Sequence, residues 1–410
     1  RVRSRATIIK RGNRFSVVID RGADPRTGKR LRDWHSGYRT KTEAQRARTK
    51  LLGELDAGTY VDPSEQTVAH YLREVWLPAR RPTNPGGARG HRGQVSLATW
   101  TTLRDQVEAY IVPHIGRVRL QDVTIDTLDS LYDELETSGG RHGQGLKPQT
   151  VLHVHRTLHK AFKDAMRRGT LGTNPAAAVD PPRAEGTRPR VWTTAQLRAF
   201  LDGVGDHEFF AAWMIFATTG MRRGEVAGLA REDLDLERGH VRVQWTLGVI
   251  DGELTWKRRP KSKAGERVIA LDPATVEALR GHLARQAEHR LVIGKRWPSR
   301  QIDWHGQSRD DPVFTWADGT LVHPNRYTEW FAKERERLGL PRIRLHDVRH
   351  TYASVGLRNA TGWHEVKVIS QRLGHSSVGF TLDTYAHVLP SADVETAHTL
   401  ARHILGDGAL

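Results

Sequence analysis

Four short stretches in the second half of this 410-residue chain carry side chains able to move protons or hold an oxyanion. Thr218-Thr219-Gly220-Met221-Arg222-Arg223-Gly224-Glu225 places two arginines where an apolar helix ends. Lys261-Ser262-Lys263-Ala264-Gly265-Glu266-Arg267 is a basic turn between two strand-like runs. In Leu345-His346-Asp347-Val348-Arg349-His350-Thr351-Tyr352, helical spacing puts Leu345, Val348 and Tyr352 on a buried stripe. His346 and Arg349, three apart, then project side by side, aiming a proton-transfer group and a guanidinium at one oxygen-rich target. Last come Leu373-Gly374-His375-Ser376-Ser377 and, ten residues after that histidine, Tyr385.

Each stretch taken alone is weak. An arginine beside a glycine is usually surface charge, and a basic turn is an ordinary hairpin loop. Tyr385 shares helical spacing with Val378, Leu382 and Leu389, which also suits a core aromatic with a wet hydroxyl. Only the combination points to a shared pocket.

Composition narrows the partner. The 64 Lys and Arg exceed the 47 Asp and Glu, for a formal charge of +17, which favours a polyanion and most simply nucleic acid. There is no cysteine, so disulfides, thiolate nucleophiles and thiolate metal sites are excluded. No run approaches the roughly 18 apolar residues of a membrane span and no secretory segment opens the chain, so a cytoplasmic protein with no membrane partner is expected.

The elements that must position these residues fall into three segments. Residues 1–60 hold sixteen Lys/Arg and six Asp/Glu. Strands are expected over Arg5–Arg11, Arg14–Arg21 and Leu31–Tyr38, followed by a helix that starts at the capping-box spacing Thr40-Lys41-Thr42-Glu43 and carries Ala44, Ala47, Leu51 and Leu55. A basic sheet this narrow can enter a DNA major groove. Residues 61–180 read as all-helical, with helices over Thr67–Leu77, Leu97–Ile111 (ended by Pro113), Thr124–Thr137 and Pro148–Arg168, and a Gly/Arg-rich loop over Pro82–Gln94. His153, His155 and His159 lack a carboxylate at ligand spacing, so no metal site is expected there. Asp180–Thr187 reads as a linker. Residues 188–410 open with helices over Thr193–Val204 and Phe209–Thr219, carry strand signals over His240–Ile250 and Arg267–Leu271, and return to helix.

The order Arg, Lys between strands, His-x-x-Arg, Gly-His and Tyr resembles the tyrosine recombinases, specifically the phage-type integrases. The likeness sits in Thr219-Gly220-Met221-Arg222, the Lys263 turn, Leu345-His346-Asp347-Val348-Arg349-His350, Leu373-Gly374-His375-Ser376 and Leu382-Asp383-Thr384-Tyr385. It implies a multidomain α+β fold: a three-stranded arm-binding domain backed by a helix (1–60), an all-α core-binding domain (61–180), and a mainly α catalytic domain with a small antiparallel sheet (188–410).

The resemblance also implies an enzyme that integrates or excises a mobile element without cofactor or metal. Tyr385 would attack the scissile phosphate, forming a 3′-phosphotyrosyl link and freeing a 5′-hydroxyl. His346 would act as general base within hydrogen-bond reach of Tyr385. Arg222, Arg349 and His375 would donate to phosphate oxygens, and Lys263 would protonate the leaving oxygen, with Lys261 as its competitor. Tyr352 reads as core. The partners implied are double-stranded DNA attachment sites, further copies of the chain in a tetramer, and accessory proteins that set direction, with a tail helix over Ser391–Leu405 docking on a neighbour. Two other readings stay open: a type IB topoisomerase, which the basic N-terminal segment disfavours, and a non-catalytic DNA-binding protein on the same fold.

Overall fold

The computed structural model describes residues 5–24, 27–83, 94–140, 142–183, 190–258, 266–303, 305–375 and 377–385. The chain divides into two compact units, Arg1–Thr83 with Arg89–Gly186, and Thr187–Leu410. The Pro82–Gln94 loop falls largely outside the described residues, the second half of the Asp180–Thr187 linker does too, and the Ser391–Leu405 tail wholly so.

The first unit opens with an antiparallel sheet of β1 (Arg5–Arg11), β2 (Arg14–Ala23) and β3 (Arg30–Tyr38), followed by α1 (Lys41–Asp56). Alternation on β2 sends Val17 and Ile19 inward, where they pack with Ala6 of β1 and Ala44 of α1. Thr40 caps α1 as its spacing predicts, accepting from the Glu43 amide at 3.1 Å while the Glu43 carboxylate takes the Thr40 amide. On β3, Trp34 stays partly exposed with the Arg11 guanidinium 4.3 Å from its ring centre. Tyr60 donates to Asp33 of β3 at 2.9 Å, and Gln121 donates to the Asp62 carbonyl at 2.8 Å. The short segment after α1 therefore ties the sheet to the helices that follow.

Those helices run past their expected ends. α2 (Val68–His70) continues through a π-helical stretch, Tyr71–Trp76, into α3 (Leu77–Arg80). α4 (Leu97–Gln106) continues through a second such stretch, Val107–Ile111, into α5 (Val112–Ile115). Pro113 was expected to end its helix and does not. In each case an amide bonds five residues back, Leu77 to Leu72 and Val112 to Val107, immediately before Pro78 and Pro113. The wider turn accommodates a ring that lacks an amide hydrogen and would crowd the carbonyl of a regular turn. α6 (Ile125–Ser138), capped by Thr124, and α7 (Pro148–Arg167) complete a core around Leu72, Trp76, Val107, Leu128, Leu158 and Phe162.

The second unit begins with α8 (Thr194–Gly203), capped by Thr193, then α9 (Phe210–Thr219) and the short α10 (Arg223–Ala227). Strands β4 (Leu234–Asp235), β5 (His240–Val243), β6 (Trp245–Ile250), β7 (Glu253–Arg258) and β8 (Arg267–Ala270) follow. They form two small antiparallel sheets, β4-β5-β8 and β6-β7. The basic turn therefore joins strands of different sheets rather than closing a hairpin. After α11 (Pro273–Ile293) comes the hairpin β9 (Arg300–Ile302) and β10 (Ser308–Asp310), which had no strand signal in the sequence reading. Helices α12 (Pro324–Arg337), α13 (Leu345–Arg358), α14 (Trp363–Leu373) and α15 (Val378–Tyr385) complete its described part. Its core is an aromatic cluster in which Trp192, Phe200, Phe209, Trp213, Tyr327 and Phe331 meet ring to ring. Among the described residues no helix is long and apolar enough to cross a membrane.

Asp164 of α7 is the polar anchor of the helical core. It accepts from Trp76 Nε1 at 3.0 Å and Lys160 Nζ at 3.2 Å, and pairs with Arg80. Burial alone would raise its carboxyl, but the bonds from Trp76, Arg80 and Lys160 outweigh it and hold the group below its ordinary range. Its stabilisation is thus complete above the ordinary carboxyl range and lost as pH falls through the lowered value. Asp164→Ala should lower stability at pH 7 by about 1–3 kcal/mol. In urea titrations at a series of pH values, the gap from wild type should close below about pH 4.

Candidate active site

The site is assembled where α9 and α14 of the second unit end. α9 is buried along nearly its whole length, as its run of apolar residues dictates, and it stops at Gly220. That residue has φ +64°, and a Cβ there would lie 2.6 Å from the Tyr352 ring. Only glycine meets both conditions. The reversal delivers Arg222 to the start of α10.

Glu225, on α10, has no exposed surface. Its carboxylate accepts from the Arg222 amide and Arg222 Nη1, both at 2.9 Å. It also takes Arg267 Nη2 at 2.7 Å and Nη1 at 3.3 Å. Arg267, from β8, donates its remaining Nε to the Arg372 carbonyl at 2.6 Å. Burial and the like charge of Arg222 push Arg267 down to about 9, which leaves it protonated at neutral pH. The glutamate is therefore an internal counter-ion for two guanidiniums and not a surface group. Arg222 keeps about a third of its side chain exposed.

Arg349 is held differently. It is 3 % exposed, and its Nη1 and Nη2 donate to the carbonyls of Gly220 at 2.8 Å and Leu373 at 2.6 Å. These carbonyls close α9 and α14, where the helix dipoles are negative, so the guanidinium is fixed by backbone. His375 follows Gly374, which ends α14 at φ +65°. Its Nδ1 lies 2.8 Å from Thr381 Oγ1, whose own proton goes to Ser370 Oγ at 2.8 Å. Nδ1 is therefore the protonated nitrogen of the neutral ring. Burial first, then Arg349 and Arg222, push His375 down to about 4.

Tyr385 joins these groups from α15. Its ring is buried against Ala353, Leu357, Val366 and Leu373, as the helical spacing suggests, and stacks over His375 with centroids 6.5 Å apart. The hydroxyl reaches past the core to His350 Nδ1, 2.7 Å away. Burial pushes its pKa up to about 12, opposed by the charges of Arg349 and Arg222.

The expectation that His346 meets the tyrosine hydroxyl does not hold in this arrangement, because the partner is His350, one helical turn further on. His346 is exposed and lies edge-on to His350 with centroids 5.1 Å apart. It lines a cavity of about 340 Å³ with Arg223, Thr328, Arg344 and Arg349. Desolvation by the surrounding groups and the nearby Arg349 hold its pKa below the ordinary histidine value. Lys261 and Lys263 lie outside the described residues, between β7 and β8. Tyr352, read as core, is half-buried and accepts from Arg372 Nε at 2.6 Å.

The structure thus brings Arg222, Arg349, His375 and Tyr385 together and sets His346 at the rim. Sequence reasoning assigned no role to Arg267 or His350. Each lies within a quoted stretch, Arg267 at the end of the basic turn and His350 beside Arg349, but nothing in local sequence marks an arginine as buried or a histidine as facing another helix. Removing the charge at Glu225 should expose the dependence. Glu225→Gln leaves two guanidiniums facing a neutral amide and should cost about 3–5 kcal/mol in urea unfolding. Glu329→Gln, which breaks an exposed pair with Arg326, should cost less than about 1 kcal/mol.

Comparison with known proteins supplies the family. Residues 205–391 match the phage integrase family, and residues 7–55 match an arm DNA-binding domain. A tyrosine recombinase XerC-like protein of Caldanaerobacter subterraneus subsp. tengcongensis is 24% identical across 96% of this chain and 97% of its own length. An integrase of Streptomyces ambofaciens is 25% identical across 91% and 89%. A putative prophage phiRv2 integrase of Mycobacterium tuberculosis is 27% identical across 80% and 82%. Among solved structures, the Tn1549 transposon integrase in complex with a circular intermediate DNA superposes with a TM-score of 0.63 at 21% identity, covering 82% of this chain and 100% of that one. A lambda integrase dimer bound to a core site gives 0.53 at 16% identity over 94% and 96%. The same fold thus recurs in proteins solved in complex with DNA, and residues 205–391 of this chain belong to the phage integrase family of tyrosine recombinases, enzymes that break and rejoin DNA.

Proposed function

We propose that the chain integrates or excises a mobile element by cutting one DNA strand at a time with Tyr385. The carrying observation is that Tyr385 lies against His375 and within the electrostatic reach of Arg349 and Arg222 of its own chain. A phosphodiester lying there would meet a nucleophile on one side and positive charge on its non-bridging oxygens. Arginine suits that position because its planar fork holds two oxygens and stays charged. Attack by Tyr385 gives a 3′-phosphotyrosyl link, and this covalent capture keeps the bond energy for rejoining.

Lys263 supplies the proton that the departing 5′-oxygen needs, and His346 contacts the same phosphate from the rim. His375, with its proton on Nδ1, donates through Nε2 once the phosphate's negative charge draws a second proton onto the ring. Residues 1–60 form the arm-type module, 61–180 the core-binding domain and 188–410 the catalytic domain. The Arg11–Trp34 pair on the outer sheet supports a DNA-facing role for the first of these. The partners are double-stranded attachment sites and further copies of the chain, in keeping with the lambda integrase tetramer solved on a Holliday junction. Accessory proteins would set the direction of exchange. The recombinase and integrase relatives favour this reading over a relaxing topoisomerase.

The test uses a nicked duplex carrying the junction sequence that flanks the gene, so that the cut strand diffuses away and the adduct accumulates. Wild type should give a covalent, protease-sensitive band. Tyr385→Phe should give none, and Arg222→Ala should form the adduct about 10²–10³-fold more slowly. Adduct formation by Tyr385→Phe would overturn the assignment of the nucleophile.

A further inference from the structure

Resting on that reading, we infer that His350, rather than His346, is the group that takes the Tyr385 proton during cleavage and returns it during rejoining. Geometry carries the inference. His350 Nδ1 is 2.7 Å from the Tyr385 hydroxyl, and no other hydrogen-bond partner of that hydroxyl is found among the described residues. A neutral phenol needs an acceptor for its proton, so the His350 ring carries its own hydrogen on Nε2 and offers Nδ1 as a lone pair. With the proton directed to Nδ1, the oxygen lone pairs are free to face the arginines.

The surroundings suit a reaction that must run in both directions. The groups facing His350 are His346, Asp347 and Arg349 on α13, Arg344 just before it, Tyr385 on α15 and His375 ahead of α15. Burial, then His346, push His350 down to about 4, with Arg349 and Arg344 acting in the same sense and Asp347 opposing them. The proton therefore stays on the tyrosine at rest and moves only as the new bond forms. In cleavage the Oη–H bond breaks, its electron pair makes the bond to phosphorus, and the proton passes to Nδ1. The bond to the 5′-oxygen breaks with its electron pair, and that oxygen is protonated by Lys263. In rejoining, the 5′-hydroxyl attacks, its proton returns to Lys263, and the departing tyrosinate recovers its proton from the His350 imidazolium. Like charge nearby makes that imidazolium a ready donor, so the intermediate is not a trap.

His350→Asn separates proton transfer from positioning. An asparagine keeps a hydrogen-bonding atom near the place of Nδ1 but cannot accept the proton. Adduct formation is measured in single turnover on the nicked junction duplex from pH 6 to 9, and again with sulfur replacing the 5′-bridging oxygen. The sulfur leaving group departs without an acid, so it reports on the tyrosine side alone. Wild type should be nearly flat with pH. His350→Asn should be about 10²–10⁴-fold slower at pH 7, should rise about tenfold per pH unit, and should not be rescued by sulfur.

A wild-type rate for His350→Asn, or a loss equal at every pH, would overturn the inference while leaving the recombinase reading intact. A wild type that forms no adduct on either duplex would instead overturn that reading. Urea unfolding and binding of the unnicked duplex check that the variant is folded. Should His350→Asn fail either check, His350→Gln is judged by the same rates.

Discussion

A carboxylate with no exposed surface organises this site. Glu225 holds Arg222 through both backbone and side chain and grips Arg267 with the same two oxygens. Moving a carboxylate into a protein interior is costly, and two guanidiniums are what make it tolerable. The converse matters more for function. Two like charges this close would repel, and the shared counter-ion lets Arg222 stand partly exposed beside a buried arginine. Arg349 reaches the same end through the carbonyls of Gly220 and Leu373. The positive charge of both arginines is thus held in place by groups of the protein itself, a carboxylate for Arg222 and two backbone carbonyls for Arg349.

Tyr385 meets two demands that seem opposed. Its ring belongs to the small core of α13, α14 and α15, while its hydroxyl lies among charged groups. Packing fixes the ring, and that places the oxygen without a separate device. The same burial keeps the phenol protonated at neutral pH. Its pKa near 12 is a consequence of the packing that aims it.

Much of this was legible in sequence because the relevant constraints are local. Thr40 and Glu43 show their cap, the Thr218–Glu225 stretch shows where the apolar α9 ends, and helical spacing shows that the Tyr385 ring suits a core. The order of motifs along the chain singles out Arg222, Arg349, His375 and Tyr385, which the structure brings together, and His346, which it leaves at the rim away from the Tyr385 hydroxyl. What escaped was set by contacts across long separations. Arg267 meets Glu225 from forty-two residues away and His350 meets Tyr385 from thirty-five. The helices that run through Pro78 and Pro113 depend on π-helical turns that no residue pattern announces.

Isolation of the covalent complex and mapping of the residue that carries DNA test the central claim most directly. After nuclease trimming and tryptic digestion, mass spectrometry should find the residual nucleotide on Tyr385, in the peptide that begins at Leu373. A nucleotide on Tyr352 or on any other side chain would contradict the account.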